Sequence, residues 1–228
     1  MEGKKHVGIT IAVDGPSGSG KSTVSRRVAE ELGIGYLDTG AMYRAAAWWC
    51  EHQGIDLDDH DAVATATRDM PLQMPLDPNK QTIMCGGVDI TEAIRTPELS
   101  RVVSRVAVNL DVRAEMKRRQ REIITHARNG IIAEGRDITT VVAPDADVRI
   151  LLTASEETRL VRRAREVRGS TDAAALAQTR SEVVDRDRAD ATVSQFMTAS
   201  DGVTTIDSSA LSIDDVVATI IHLVKEKR

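Results

Sequence analysis

The sequence predicts an α/β fold in which helices flank a parallel sheet of about five strands. Short apolar runs rich in valine, isoleucine and leucine alternate along the chain with longer stretches of helical spacing. The connections between successive runs are too long for hairpins, so the strands are expected to run parallel. The first apolar run, residues 9–13, leads directly into a glycine-rich segment, which predicts a ligand site at the carboxyl ends of the strands.

Composition sets limits on the class of protein. The chain has 228 residues, of which 41% are hydrophobic, and this is enough for one domain with a sizeable core. Aromatic residues make up only 2%, which argues against base-stacking platforms for single-stranded nucleic acid. The formal net charge of −5 does not favour a general polyanion binder, so we expect no nucleic-acid partner and only local basic sites.

The sequence also predicts a cytoplasmic protein without a membrane segment. Cys50 and Cys85 have no metal-ligand spacing and are expected to be buried thiols in a reducing compartment. No apolar stretch reaches the roughly 18 residues of a membrane helix. Residues 1–8 contain two lysines but no apolar region typical of a signal peptide.

The glycine-rich segment has the pattern of a P-loop, with Gly15 and Gly20 at the required spacing before Lys21 and Ser22. Its backbone N–H groups and the following helix N-terminus are suited to bind phosphate oxygens. Lys21 is expected to reach the terminal phosphates of a nucleoside triphosphate, and the Ser22 hydroxyl to help hold Mg²⁺. The residues predicted to bind this nucleotide are Gly15, Pro16, Ser17, Gly18, Ser19, Gly20, Lys21, Ser22 and Thr23.

Periodicity defines the elements that follow. Val24, Val28 and Leu32 lie on one face of a predicted helix, which Gly33 ends. The run around Ala45 is expected to be largely buried in a later helix. The elements predicted up to residue 67 are, in order, a helix over 22–32, a strand over 35–38, and helices over 41–53 and 58–67.

The pattern changes over residues 70–95 and predicts a small antiparallel insert at 70–90. The segment 70–76 alternates, 77–79 turns, 81–85 forms a second short run, and two glycines turn again before 88–90. Prolines in the first run favour an edge position for that strand.

The second half returns to alternating helices and strands. Thr96 and Pro97 form a helix start with proline in the first turn. Gly169 separates two polar helices, of which the first carries five arginines. The predicted elements are helices over 99–108 and 111–128, strands over 130–134 and 147–152, helices over 155–168 and 172–188, a strand over 202–207, and a helix over 212–225.

Four polar clusters fall at or just beyond the predicted strand ends, at residues 14–22, 38–44, 134–137 and 207–209. Arg44 and Arg136 are the strongest phosphate-ligand candidates, because ligands bind at this edge and guanidinium groups bind phosphate bidentately. No Asn-Lys-x-Asp motif indicates a GTPase, and the chain is too short for a large motor ATPase.

Three aspartates have two interpretations each. Asp137, beside Arg136, could cap a turn or accept a hydrogen bond from an exocyclic amine. Asp14 and Asp38 could shape the Mg²⁺ shell or merely cap turns. The residues themselves leave these alternatives open.

Several stretches resemble the bacterial cytidylate kinases, which are nucleoside monophosphate kinases. They are residues 12–22, 37–44 and 132–138, with shorter matches at 94–98 and 118–121. The resemblance covers the chain from about residue 9. It implies transfer of the γ-phosphate of ATP to CMP or dCMP with Mg²⁺, and it suggests a monomer.

The resemblance also implies one domain over residues 1–228, built as a P-loop NTPase-type sheet with a β insert and a helical lid. Its core would comprise residues 8–40, 129–155 and 200–228. The monophosphate-binding region would span about 41–128, and the lid about 156–192.

Residue roles follow from the same resemblance. Arg44 and Arg136 would bind the acceptor phosphate, while Ser104, Arg113 and Asp137 would read the cytosine. The ribose would contact Arg186 and Asp190. The acceptor nucleotide would also contact Thr39 and Tyr43. The lid would contribute Arg159, Arg162 and Arg163. The residues expected to act on the transferred phosphate are Lys21, Arg136, Arg159 and Arg163, and those expected at the metal are Ser22 and Asp38.

One position departs from the family pattern Arg-Asp-x-x-Asp-Ser-x-Arg. Here Val193 stands where the last arginine, an acceptor-phosphate ligand, is expected.

Two other functions stay open on the sequence. One is a P-loop kinase of another small acceptor, such as UMP, AMP or shikimate. The other is a regulatory nucleotide-binding protein with a vestigial site.

Overall fold

A computed structural model of the chain describes residues 8–227. The strands in this part of the chain are β1 (Thr10–Asp14), β2 (Gly35–Asp38), β3 (Leu72–Gln73), β4 (Met84–Cys85), β5 (Val88–Asp89), β6 (Ile131–Gly135), β7 (Val148–Thr153) and β8 (Thr204–Asp207). Five of them form one parallel sheet, as predicted, and their order is β2-β6-β1-β7-β8. The strand that precedes the P-loop therefore lies at the centre of the sheet.

Helices cover both faces of this sheet. They are α1 (Lys21–Leu32), α2 (Thr39–His52), α3 (His60–Asp69), α4 (Pro97–Ala107), α5 (Leu110–His126), α6 (Glu156–Arg168), α7 (Ala173–Ala191) and α8 (Ile213–Glu226), with a 3₁₀ turn at Ala93–Arg95 and a π-helical turn at Ile138–Val142.

Side chains alternate between two cores, because successive residues of a strand point to opposite faces. Ile11 and Val13 pack with α1 and α8, whereas Ala12 between them packs with α2 and its neighbours. The alanines of the 45–47 run are fully buried, as expected. A sheet covered on both faces explains why its strands are almost continuously apolar.

The predicted insert is a three-stranded antiparallel sheet in the order β3-β4-β5, and its first strand is an edge strand, as the prolines indicated. Only Leu72 and Gln73 of the alternating run pair within it. The chain then turns towards the main sheet, where the Leu76 carbonyl accepts a hydrogen bond of 2.9 Å from the Tyr36 N–H on β2. The insert thereby covers part of an exposed sheet edge.

Most elements begin or end one to three residues away from the predicted bounds, and two short helical turns were not predicted. Helix α2 begins at Thr39 rather than 41, because the Asp38 side chain caps it by accepting from the Ala41 N–H at 2.8 Å. Helix α7 continues three residues past 188, to Ala191. The π-helical turn was not predicted at all.

The π-helical turn is held by the buried carboxylate of Asp14. Asp14 accepts from the backbone N–H groups of Ile138 and Thr139, each at 2.8 Å, and from the Thr139 hydroxyl at 2.7 Å. Burial raises the pKa of Asp14, and the hydrogen bonds oppose that rise. The interpretation of Asp14 as a turn-capping residue is therefore confirmed.

Within residues 8–227, no helix combines the length and the apolar composition needed to cross a bilayer. Cys50 and Cys85 are free, buried thiols, as expected, and burial raises the pKa of each to about 11. The expectation about a signal peptide concerns residues 1–8, of which 1–7 lie outside the described residues.

Gly130 gives a test of how tightly β6 is docked. It has φ +98°, and a Cβ there would lie 2.6 Å from the Ile9 carbonyl oxygen. Gly33 has φ +64° but open space at the same position. We expect Gly33→Ala to cost about 1 kcal/mol of unfolding free energy, which is the cost of the left-handed backbone alone. Gly130→Ala should cost about 3 kcal/mol or more, because backbone must move as well.

Urea unfolding followed by circular dichroism measures both variants against the parent chain. Equal losses in the two variants would contradict the close contact between Gly130 and the β1 strand.

Candidate active site

Three of the four predicted polar clusters meet in one cavity of about 200 Å³ at the carboxyl edge of the sheet. The fourth, at 207–209, does not line it. The predicted site residues that line the cavity are Ser17, Gly18, Gly20, Lys21, Ser22, Thr23, Asp38, Thr39, Tyr43, Arg44, Arg113, Arg136, Asp137, Arg163, Arg186 and Asp190. The topology thus brings together residues that are far apart in sequence.

The P-loop backbone needs glycine for two physical reasons. Gly20 has φ +93° and directly precedes α1, a conformation that side chains disfavour. A Cβ on Gly18 would lie 2.6 Å from the carbonyl oxygen of Arg159 on α6. The loop is therefore shaped by its own turn and by close packing against that helix.

Lys21 lies half-buried at the start of α1. Its Nζ donates a hydrogen bond of 2.9 Å to the Pro16 carbonyl, across the P-loop. Burial, and secondarily the positive charge of Arg136, lowers the pKa of Lys21 to about 8. Arriving phosphates would relieve both effects, because they bring negative charge to a buried cation.

Ser22 faces a buried carboxylate. Its hydroxyl donates to Glu134 Oε1 at 2.5 Å, and the Tyr36 hydroxyl approaches the same oxygen at 3.3 Å. Burial, and then the charge of Asp38, raises the pKa of Glu134. The sequence placed Glu134 in a polar cluster but assigned it no role.

Asp38 works as a helix cap and as an ion-pair partner. Burial alone would raise its pKa, but the Arg44 guanidinium at 2.9 Å and the cap hydrogen bond outweigh burial and hold it below its usual value. The capping interpretation of Asp38 is confirmed, and the same carboxylate also lines the cavity.

Arg136 lies at the centre of the hydrogen-bond network. Its guanidinium donates to the Gly15 carbonyl at 2.6 Å, to Asp187 at 3.0 Å and to Asp190 at 3.0 Å. The ring of Phe196, only 1% exposed, lies 4.5 Å from the guanidinium carbon, a cation–π arrangement. Sequence reasoning missed both Asp187 and Phe196, although Phe196 is the one phenylalanine of the chain.

Asp137 pairs with Arg113, which also donates to the Ser194 hydroxyl at 2.8 Å. The Asp137 side chain makes no capping hydrogen bond to the turn that follows it, so the capping interpretation is wrong. Burial raises the pKa of Asp137, against the opposing charge of Arg113. The pair puts a carboxylate and a guanidinium side by side on the cavity wall.

Helix α7 contributes Arg186 and Asp190 to the cavity wall. Burial and the nearby charge of Arg136 lower the pKa of Arg186 to about 10, although Asp190 at 3.8 Å opposes this. The Nε atoms of Arg186 and Arg44 are buried without a hydrogen-bond partner among the described residues. Unpartnered buried donors in a cationic cavity are suited to an anionic ligand. Tyr43, on α2, also lines the cavity, and burial raises its pKa.

Some predicted residues lie outside this cavity. Ser104 lines an adjoining cavity of about 580 Å³, which shares Ser17, Arg163 and Arg186 with the first. The other residues outside are Gly15, Pro16, Ser19, Arg159, Arg162 and Val193.

Two of the predicted lid arginines are used inside the protein. Arg159 is 7% exposed and donates to the Ser17 carbonyl at 2.9 Å, beneath the P-loop. Arg162 donates to the Ser208 carbonyl at 2.8 Å, which links α6 to the end of β8. Arg163 lines the cavity beside Glu166, 3.0 Å away.

The parallel sheet, the P-loop and the cationic cleft beside it define a P-loop phosphotransferase. Comparison with known proteins gives the family. The family model for cytidylate kinase matches residues 11–226, so the chain belongs to the cytidylate kinase family.

Curated relatives agree over nearly the whole chain. A cytidylate kinase of Streptomyces avermitilis is 43% identical over 222 residues, covering 96% of this chain and 94% of the relative. A cytidylate kinase of Cutibacterium acnes is 44% identical over 218 residues, covering 95% of this chain and 96% of the relative. Among solved structures, an uncharacterized protein from Eubacterium ventriosum superposes with a TM-score of 0.53 at 14% identity, covering 95% of this chain and 98% of that one. This last likeness concerns the fold alone.

The lowered pKa of Lys21 predicts that nucleotide binding depends on pH. With a pKa of about 8, the free protein loses the Lys21 charge as pH rises from 7 to 9. Because bound phosphates need the protonated amine, we expect the dissociation constant for ATP to rise about tenfold over that range. Isothermal titration calorimetry in buffers of matched ionic strength measures it.

Lys21→Ala is the matched control for this pH dependence. It should bind ATP more weakly at every pH and show a flat profile between pH 7 and 9. A flat profile in the parent chain would show that Lys21 does not titrate in this range.

Proposed function

We propose that this protein transfers the γ-phosphate of ATP to CMP or dCMP and releases ADP with CDP or dCDP. The observation that carries the proposal is one cavity that holds both the P-loop lysine and three arginines from separate elements, Arg44, Arg136 and Arg186. Phosphoryl transfer needs positive charge, alignment of donor and acceptor, and exclusion of water far more than covalent chemistry.

The P-loop is the proposed donor site. The backbone around Gly18 and Gly20 would cradle the phosphates of ATP, at the positive end of α1. Lys21 lines the cavity and would contact the phosphate that moves. Its present hydrogen bond to the Pro16 carbonyl keeps the amine beside the loop until phosphate arrives.

The opposite wall is the proposed acceptor site. Arg44 and Arg186 present buried Nε donors that lack partners, and Arg136 stands between them and the P-loop. A nucleoside monophosphate would supply the missing acceptors, with its phosphate at Arg44 and its ribose hydroxyls at Arg186. Arg136 would then contact both the acceptor and the transferring group, where charge is redistributed in the transition state.

Asp137 and Arg113 are the proposed base-reading pair. A carboxylate accepts from the exocyclic amine of cytosine, whereas uracil presents a carbonyl there. Arg113 would donate to the neighbouring ring edge. Ser104, in the adjoining cavity, and the ribose contacts Arg186 and Asp190 would complete the acceptor site.

The donor atoms beside the P-loop fit Mg²⁺. Ser22, Glu134 and Asp38 provide oxygen ligands at the cavity wall. No group of three or more His, Cys, Asp or Glu side chains within residues 8–227 forms a metal cage. That fits Mg²⁺, which is usually held by one or two carboxylates with substrate phosphates and water. When bound, Mg²⁺ offsets phosphate charge during transfer.

Acceptor identity tests this proposal directly. ADP production from Mg²⁺ and ATP is measured with CMP, dCMP, UMP, AMP, GMP and shikimate, each added alone. We expect strong turnover with CMP and dCMP and background turnover with the others. Response to a different acceptor would keep a P-loop kinase and discard the base-reading roles. No response to any acceptor, with ATP still bound, would favour a regulatory nucleotide-binding protein.

Asp137→Asn tests the base-reading role. An amide can donate as well as accept, so the variant should tolerate the uracil carbonyl better. We expect the ratio of kcat/KM for CMP to that for UMP to fall about tenfold or more.

The control is Asp201→Asn, which changes an exposed aspartate in the loop before β8. It should leave the ratio unchanged. If Asp137→Asn also leaves it unchanged, Asp137 is structural and does not read the base.

A further inference from the structure

Asp187 on α7 is a buried carboxylate that no role above uses. Its side chain is 9% exposed and lies among the cations beside the P-loop. It accepts hydrogen bonds from Arg136 at 3.0 Å, from Arg159 at 2.6 Å and from the backbone N–H of Ser17 at 3.1 Å. Three donors from three separate segments thus converge on one carboxylate.

The contact with Ser17 helps to hold the P-loop at both the N–H and the carbonyl of that residue. The Ser17 N–H donates to Asp187, and the Ser17 carbonyl accepts from Arg159 at 2.9 Å. Because Arg159 also bonds Asp187, the three residues form a closed ring of charge-assisted hydrogen bonds. Such a ring holds the loop in one conformation.

The second contact reaches the acceptor side. Arg136 bonds Asp187 through one terminal nitrogen and the Gly15 carbonyl through the other, at 2.6 Å. The same carboxylate therefore sets the position of the P-loop and the direction of the arginine that faces the acceptor.

We propose that Asp187 is a positioning residue that couples the donor site to the acceptor site, an inference that rests on the function proposed above. Its charge also offsets part of the repulsion between Lys21, Arg136 and Arg159. Occupying one site pre-organises the other, because both are tied to the same carboxylate.

The first experiment compares Asp187→Asn with Glu156→Gln. Glu156 pairs with Arg180 at 2.6 Å, so its variant removes an exposed ion pair between the same two helices, α6 and α7. Asp187→Asn should raise the KM for both ATP and CMP, and lower kcat/KM about 100-fold, because the reacting groups are misaligned. Glu156→Gln should stay within about twofold of the parent chain.

A second readout separates positioning from simple loss of stability. Calorimetry gives the affinity for CMP with and without a non-hydrolysable ATP analogue. The coupling ratio is the dissociation constant for CMP without the analogue divided by that with it. In the parent chain this ratio should exceed one, and in Asp187→Asn it should fall towards one. This ratio is called the gain. If Asp187→Asn only lowers the melting temperature and the active fraction, with both KM values and the gain unchanged, the proposal is wrong.

Arg159→Lys covers the case in which Asp187→Asn does not fold. Arg159 bonds the Ser17 carbonyl and Asp187 from one atom, Nη1. Lysine keeps the charge, but its shorter side chain cannot bring an amine to that position. As in Asp187→Asn, the KM values of Arg159→Lys should rise and its gain should fall towards one. Values equal to those of the parent chain would overturn the proposal.

Failure of the proposed function gives a different result from failure of this inference. If the parent chain neither binds nor phosphorylates CMP, the proposed function fails. The affinity of Asp187→Asn for the ATP analogue then still tests the link to the P-loop, and an affinity equal to that of the parent chain would refute it.

Discussion

Concentrated positive charge in a partly buried cleft is the constraint on which this structure depends. Burial, and then repulsion from the nearby charge of Arg136, lowers the pKa of both Lys21 and Arg186. A cleft prepared for polyphosphate must carry this charge before its ligand arrives. The fold offsets this charge repulsion with carboxylates such as Asp187 and Asp190, which both pair with Arg136. Asp190 lines the cavity, whereas Asp187 does not.

The sheet and the cleft are built from one another. Asp14 ends the central strand and binds the backbone of the π-helical turn, so the start of the P-loop is fixed to the end of β6. Arg136 follows β6 directly and returns a hydrogen bond to Gly15. Strand pairing and side-chain contacts therefore fix the same geometry twice, which makes the cleft rigid on its core side.

Much of the fold could be predicted from the sequence, because local signals carry it. Apolar periodicity located the helices and strands, and proline placed the first insert strand at an edge. The P-loop spacing and the rule that ligands bind at strand ends indicated Lys21, Arg44 and Arg136 as site residues. All three line one cavity. These signals depend on residues near one another in the chain or on the general geometry of parallel sheets.

The rest depends on pairings between distant residues that no local signal specifies. Asp187 and Ser17 are 170 positions apart, and Arg159 looked like one of five arginines on a charged helix. Only the packed structure separates Arg159, which lies beneath the P-loop, from Arg163, which faces the cavity. Through Asp187 and Arg159, helices α6 and α7 form part of the framework that holds the phosphate loop. The position of these two helices and the shape of the loop are therefore linked by direct hydrogen bonds.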